Sequence, residues 1–336
     1  MKIAVDAMGG DHAPAETVKG AVAAASLYDL EIILVGDEQA IRAHMPKRLE
    51  GERIRIHHTP DSIRMDDQVN SIRTKPRASV VVAAEMVRSG EADAMISVGN
   101  TAAAMAVAAL KLGRIPGIER PAIATILPSK CGNTILLDAG ATADCTVDNL
   151  LQFAVMGSIY AEKVLKKPRP RVGLLSIGEE PTKGNELTKA AHLALQSTDL
   201  NFIGNVEGRD LFSGAADVVV ADGFVGNVAL KASEGIADFI LSQFKEILDR
   251  RLLRILLLFL KPTLTNLKRT FDYAQYGGAP LLGVNGVSIV GHGRSNARAV
   301  SSAIRAAKEA VDRDIIDCIK TSLLSLEKSP ATKSSS

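Results

Sequence analysis

Four short stretches of this 336-residue chain concentrate side chains that can hold and activate an anion. The first contains Asp6, Gly9, Gly10, Asp11 and His12 in "VDAMGGDHAP"; the second is "SVGNTAAAM", with Ser97, Gly99, Asn100 and Thr101. The third is "GEEPTKGNELTKAA", with Lys183, Asn185, Glu186 and Lys189; the fourth is "ADGFVGNVALK", with Asp222, Gly223, Gly226, Asn227 and Lys231. A glycine before a capped helix start lets backbone approach a ligand, and the free N–H groups of the first turn then face an anion. The lysines supply countercharge, and an amide such as Asn227 is suited to donating to a carbonyl oxygen that gains charge. "YGGAPLLGVNG", with Gly277 and Gly278, and "VGHGRSN", with His292, add two more glycine-rich loops. Any one of these loops is also ordinary turn chemistry, and a lone histidine is more often structural than catalytic. Their number and shared composition carry the functional reading.

What is missing narrows the chemistry. No GxGxxG follows a strand, and there is no GxxxxGK[ST] and no GxSxG nucleophile elbow. The loops offer glycines, amides, lysines and acids without a standard covalent nucleophile. That pattern suits a site which binds an anionic reactant and lets it react directly, with no cofactor and no metal.

Short β-branched runs must position these loops. Candidate strands are "KIAVDA", "EIILVGD", "RIRIHH", "ADAMISVG", "AIATILPS", "NTILLDAG", "RVGLLSIG", "NFIGNVE", "ADVVVADG" and "VSIVGHG". Several are almost continuously apolar, as parallel strands covered on both faces are. Alanine- and leucine-rich helical stretches such as "RASVVVAAEMVRSG" lie between them, so the chain reads as α/β with a mostly parallel sheet. Ligands of such sheets bind beyond the carboxyl ends of the strands, so the four loops are expected to converge on one crevice.

Hydrophobic residues make up 46% of the chain, enough for a substantial core. Aromatics are only 4%, tryptophan is absent and the net charge is +2, which argues against a nucleic-acid partner. Cys131, Cys145 and Cys318 are widely spaced, giving neither a zinc motif nor a disulfide framework, and fit a reducing cytoplasm. Asp6 and Gly9-Gly10 stand where a secretory leader would need an apolar core. One domain over residues 1–325 is expected, with a disordered polar tail at 326–336.

Residues 240–275 stand apart as an expected helical insertion. Lys245–Arg269 carry seven basic residues against two acids, a net +5, around the apolar run "LLRILLLFL". Nine residues cannot span a bilayer, which takes about 20. Two readings remain: a buried helix at a dimer interface, or a hairpin lying on anionic membrane. The second is favoured, with Leu253, Leu256, Leu257, Phe259 and Leu260 turned to lipid.

In order along the chain, "VDAMGGDHAP", "SVGNTAA", "KGNELTK", "DGFVGN" and "YGGAPLLG" resemble the motifs of bacterial PlsX-type phosphate acyltransferases, over about Met1 to Asp312. The resemblance implies a three-layer α/β/α fold like that of isocitrate dehydrogenases and phosphotransacetylases, and a homodimer. It implies transfer of a long-chain acyl group from acyl carrier protein to inorganic phosphate. The acyl phosphate would feed phospholipid synthesis through a membrane-bound glycerol-3-phosphate acyltransferase, with this protein cytoplasmic and peripheral to the inner face of the membrane. Lys183, Asn227 and His12 then stand as candidate catalytic residues. Asp6, Gly9, Gly10, Asp11, Ser97, Gly99, Asn100, Thr101, Asn185, Glu186, Lys189, Asp222, Gly223, Gly226, Gly277 and Gly278 are candidates for binding phosphate and substrate. The rival activities are a short-chain phosphotransacetylase and a nicotinamide-dependent dehydrogenase.

Overall fold

The structure is a computed structural model that describes residues 1–46, 53–248 and 277–327. Its strands are β1 (Lys2–Asp6), β2 (Glu31–Gly36), β3 (Ile54–His58), β4 (Ala94–Ser97), β5 (Ala122–Ser129), β6 (Gly132–Leu137), β7 (Val172–Leu175), β8 (Phe202–Val206), β9 (Val218–Val220), β10 (Ala279–Leu282) and β11 (Val287–Val290). They form one sheet in the order β3-β2-β1-β4-β11-β10-β5-β6-β9-β7-β8. All ten stretches read as strands from their apolar runs are strands here. The eleventh, β10, sits inside the stretch read as a glycine-rich loop.

Seven of the ten neighbouring pairs are parallel and three are antiparallel. The antiparallel pairs are β11–β10, β10–β5 and β5–β6, all at the centre. The block β3-β2-β1-β4-β11 therefore points one way and the block β6-β9-β7-β8 points the other.

The helices flanking the sheet are α1 (Ala15–Leu27), α4 (Ser79–Ser89), α5 (Thr101–Lys111), α6 (Val147–Lys163), α7 (Glu186–Gln196), α8 (Gly223–Leu248), α9 (Ala297–Asp312) and α10 (Ile315–Glu327); the short α2 (Glu38–Arg42) and α3 (Ser71–Thr74) lie in loops. Side chains alternate across each strand. Ile3 and Val5 of β1 join a core with α1, α6, α9 and α10, while Ala4 joins another with α4 and α5. This is the expected three-layer arrangement. On the second face, α5 covers the first block and α8 stands over the second. The central strands β5 and β10 floor the cleft between them.

The insertion expected from residue 240 begins inside α8, one 26-residue helix from Gly223 to Leu248. The rest of it, with Leu253, Leu256, Leu257, Phe259 and Leu260, lies outside the described residues, as do residues 328–336 of the tail. Among the described residues, no helix is long and apolar enough to cross a membrane.

Candidate active site

The cleft is a cavity of about 950 Å³. One corner is polar: Asp11, Thr101 and Ala102 at the start of α5, and the loop Gly291–Ser295 after β11. Its floor is Ile123, Thr125 and Leu127 of β5 with Ala279 of β10. Asn227, Leu230, Lys231, Ile236 and Ala237 of α8 form the opposite wall, and Met65 and Met105 line the near side.

The polar corner is built by a buried carboxylate. Asp6, 3% exposed at the tip of β1, accepts from Ser79 Oγ at 2.6 Å and Ser97 Oγ at 2.7 Å, and from the Met8 N–H at 3.3 Å. Ser97 Oγ in turn accepts from the Gly99 N–H at 3.3 Å. These bonds bring the Gly9–Gly10 loop against Gly99 so tightly that a Cβ on Gly9 would stand 2.9 Å from the Gly99 nitrogen. Asp6 and Ser97, expected to touch phosphate, instead spend their polar atoms on this clamp. Gly9 and Gly99 serve the meeting of two backbones.

The next layer joins distant segments. The Asp11 N–H donates to the Gly293 carbonyl at 2.8 Å. The Asn100 side chain accepts from the Ala103 N–H at 3.0 Å, capping α5, while its Nδ2 donates to the carbonyls of Met65 and Asp67 at 3.1 and 3.0 Å. With all its polar atoms engaged, Asn100 is a strut for the 65–67 loop, which a Lys75–Asp67 ion pair at 2.5 Å also holds. Glu16 of α1 accepts from the Ala297 N–H at 2.8 Å, fixing the start of α9 beside Arg294 and Ser295. Thr101 and Ala102 occupy the first two positions of α5, whose N–H groups have no partner within the helix, and both line the cavity.

The second block contributes differently from what its loops suggested. Because its strands run opposite to β1 and β4, the loop after β7 is not beside the loops after β1 and β4. Lys183, Asn185, Glu186 and Lys189 lie near the far edge of the sheet, and none lines the cavity. There Asn185 caps α7 by accepting from the Thr188 N–H at 2.8 Å. Asn205 of β8 binds the Glu180 carbonyl at 2.9 Å and the ring of buried His192 at 2.9 Å, tying that loop to its own block. His12 also misses the cavity and faces a shallow depression with Glu16, Arg294 and Asn296.

Asn227 does reach the cleft. Asp222 caps α8, accepting from the Val225 N–H at 2.9 Å. The helix then presses against the loop after β6, where a Cβ on Gly226 would stand 1.9 Å from the Asp138 carbonyl oxygen and one on Gly223 2.6 Å from that of Thr142. Gly223 and Gly226 are packing glycines, as is Gly277, which abuts the backbone of α9. Gly278 lines the cavity, whereas Gly10 packs against Val98 and Gly293. Lys231 of the fourth stretch lines the cleft too, and Arg294, Ser295 and Thr125 do so without having stood out in the sequence. Only "GRSN" in a glycine-rich loop pointed toward Arg294 and Ser295.

Comparisons with known proteins give the family and the fold. Residues 1–318 match the family described as "Fatty acid synthesis protein". A phosphate acyltransferase of Pelotomaculum thermopropionicum is 53% identical over 97% of this chain and 96% of its own length. The chain belongs to the phosphate acyltransferase family. A second member, from Desulforamulus reducens, is 52% identical over 96% of this chain and 97% of its own. Among solved structures, a phosphotransacetylase of Streptococcus pyogenes superposes with a TM-score of 0.59 over 92% of this chain and 94% of that one. At 18% identity it speaks for the fold alone. Phosphate acyltransferases are acyltransferases, and this one carries the α/β/α fold its sequence implied.

Burial holds the Asp6 carboxyl above its ordinary 3.8, outweighing the serine and backbone donors that pull it down. The folded state therefore holds this proton more tightly than the unfolded chain, and stability falls as pH rises from 3.8 through the folded value. Asp6→Asn cannot accept from both serines and should cost about 1–3 kcal/mol in acid. Its deficit against the wild type should narrow as pH rises through that window, measured by urea unfolding at a series of pH values.

Proposed function

We propose that this phosphate acyltransferase moves a long-chain fatty acyl group from acyl carrier protein to inorganic phosphate, releasing acyl phosphate and free carrier thiol. The observation that carries this reading is the cleft itself, a polar corner opening directly onto an apolar groove. A small charged nucleophile and a fatty thioester can meet there without a covalent enzyme intermediate.

Phosphate sits in the polar corner, with the Thr101 and Ala102 N–H groups and the Arg294 guanidinium offsetting its charge. Asp11 accepts from its P–OH. A phosphate oxygen attacks the thioester carbonyl carbon, the C–S bond breaks, and the electron pair leaves on the carrier thiolate. Asn227, at the Ile123 end of β5, stands away from this corner, and Lys231, one turn further along α8, supplies a proton to the thiolate. Lys183 and His12 have no part in this arrangement, because their loops do not reach the cleft. Holding the two reactants in register supplies much of the acceleration.

The product is amphiphilic, and an acyltransferase acting on glycerol 3-phosphate at the membrane is a fitting consumer. The basic leucine-rich segment beyond α8 suits contact with anionic membrane at the cytoplasmic face. On α8 itself, Phe224, Val228 and Phe239 are each more than half exposed, at 66, 53 and 64%. Such a face suits burial against a second copy of the chain in a homodimer.

Four outcomes test the reading. Acyl phosphate, trapped as hydroxamate, should form from palmitoyl-acyl carrier protein and phosphate. Arg294→Ala should lower kcat about 100-fold or more, as loss of a group stabilising transition-state charge does, while Lys183→Ala should leave it nearly unchanged. Leu257→Glu should reduce flotation with anionic liposomes, and unchanged flotation would leave that segment a packing element. Phe239→Glu should shift the protein toward monomer in sedimentation velocity.

A further inference from the structure

The cleft has one closed end and one open end. At the Ile123 end of β5, the Ala139 N–H binds the Ile123 carbonyl at 3.0 Å. Gly140 and Asn227 meet there, a Cβ on Gly140 falling 3.4 Å from the Asn227 side chain. The first turn of α8 seals that end by packing its backbone on Asp138. At the other end of β5 the lining becomes apolar: Ile126, Leu127, Pro128, Phe212, Ile236 and Ile240. Ile236 and Ile240 are 60% and 44% exposed, so the groove is open to solvent along α8. From Asn227 to Ile240 the α8 wall runs about 20 Å at 1.5 Å per residue.

Phe212 stands in this apolar half on a firmly held backbone. Its carbonyl accepts from the Lys130 N–H at 3.0 Å, at the turn joining β5 to β6. The residue before it, Leu211, is 1% exposed and ends a 3-10 turn, Gly208–Leu211. That turn is closed by a capping box in which the Glu207 N–H donates to Asp210 Oδ2 at 2.9 Å. The α8 part of the lining includes a small residue, Ala237.

We infer that this apolar half is the acyl-chain channel and that Phe212, in its lining, sets the length of chain the enzyme accepts. The inference rests on the activity proposed above and adds the residues that select its substrate. A chain leaving the thioester carbon in the polar corner cannot turn toward the sealed Ile123 end. It lies instead over Leu127 and Pro128, along α8, and meets Phe212. Each methylene that enters this lining gains transfer free energy from water, worth about fourfold in kcat/KM. Methylenes beyond Phe212 stay in solvent and gain little.

A series of acyl carrier proteins loaded from butyryl to stearoyl tests this. In the wild type, kcat/KM should climb with chain length and then level. Ala237→Trp, on the α8 side of the lining, should move the levelling point to shorter chains. Phe212→Ala should move it to longer chains. Folded variants, judged by circular dichroism, that keep the wild-type profile would overturn the inference while leaving the activity standing. A wild type that makes no acyl phosphate from any chain would instead overturn the activity. An independent readout needs no variant. A palmitoyl thioester with a terminal diazirine should label peptides containing Phe212 or Ile236–Ile240, and labelling confined to other peptides would contradict the channel.

Discussion

The reversal of strand direction at the centre of the sheet governs everything else in this protein. Two antiparallel neighbours, β5 and β10, separate a block of five strands from a block of four that points the other way. A strand tip on one side therefore has no counterpart on the other. The shared space is the face of the central strands, left between α5 and α8. A cleft of that kind is long, floored by strand side chains and polar only where a strand tip reaches it. A small anion and a long hydrocarbon chain need such a division of surfaces.

Both sides of the cleft rest on a buried carboxylate. Asp6 gathers Ser79, Ser97 and Met8 at the tip of β1. Asp138, fully buried after β6, accepts from the N–H groups of Ile123, Gly140, Ala141 and Thr142. Burial raises the pKa of each, so each ionised form costs stability and is tolerated only because donors converge on it. What that cost secures is position. Loops with few side chains are held by charge-assisted bonds from below, which leaves their upper surface free for a ligand.

Much of this was legible in the residues. The apolar runs of β1, β2, β4 and β9 are long enough and pure enough to declare buried strands, and the glycine-rich stretch after β1 does frame the polar corner. Three things were not legible. The "APLL" of β10 is four residues bounded by glycines and interrupted by proline, so it carries no strand period. Strand direction is a property of the whole topology, and no local pattern showed that the loop containing Lys183 would lie away from the loop containing Gly99. Nor can spacing distinguish a glycine that admits a ligand from one that admits another backbone, and Gly9, Gly99 and Gly226 are of the second kind. Asn100 and Ser97 looked like ligands because struts and ligands use the same polar atoms.

The position of β11 has a bearing on how the protein is made. This strand, from the last fifth of the chain, lies between β4 and β10 and carries the loop whose Gly293 carbonyl receives the Asp11 N–H. During synthesis the amino-terminal strands emerge first and can pair among themselves, but the β4 edge stays bare until residues near 290 leave the ribosome. The nascent protein thus presents an unpaired, mostly apolar strand for most of its translation, and only the late arrival of β11 both covers that edge and completes the polar corner.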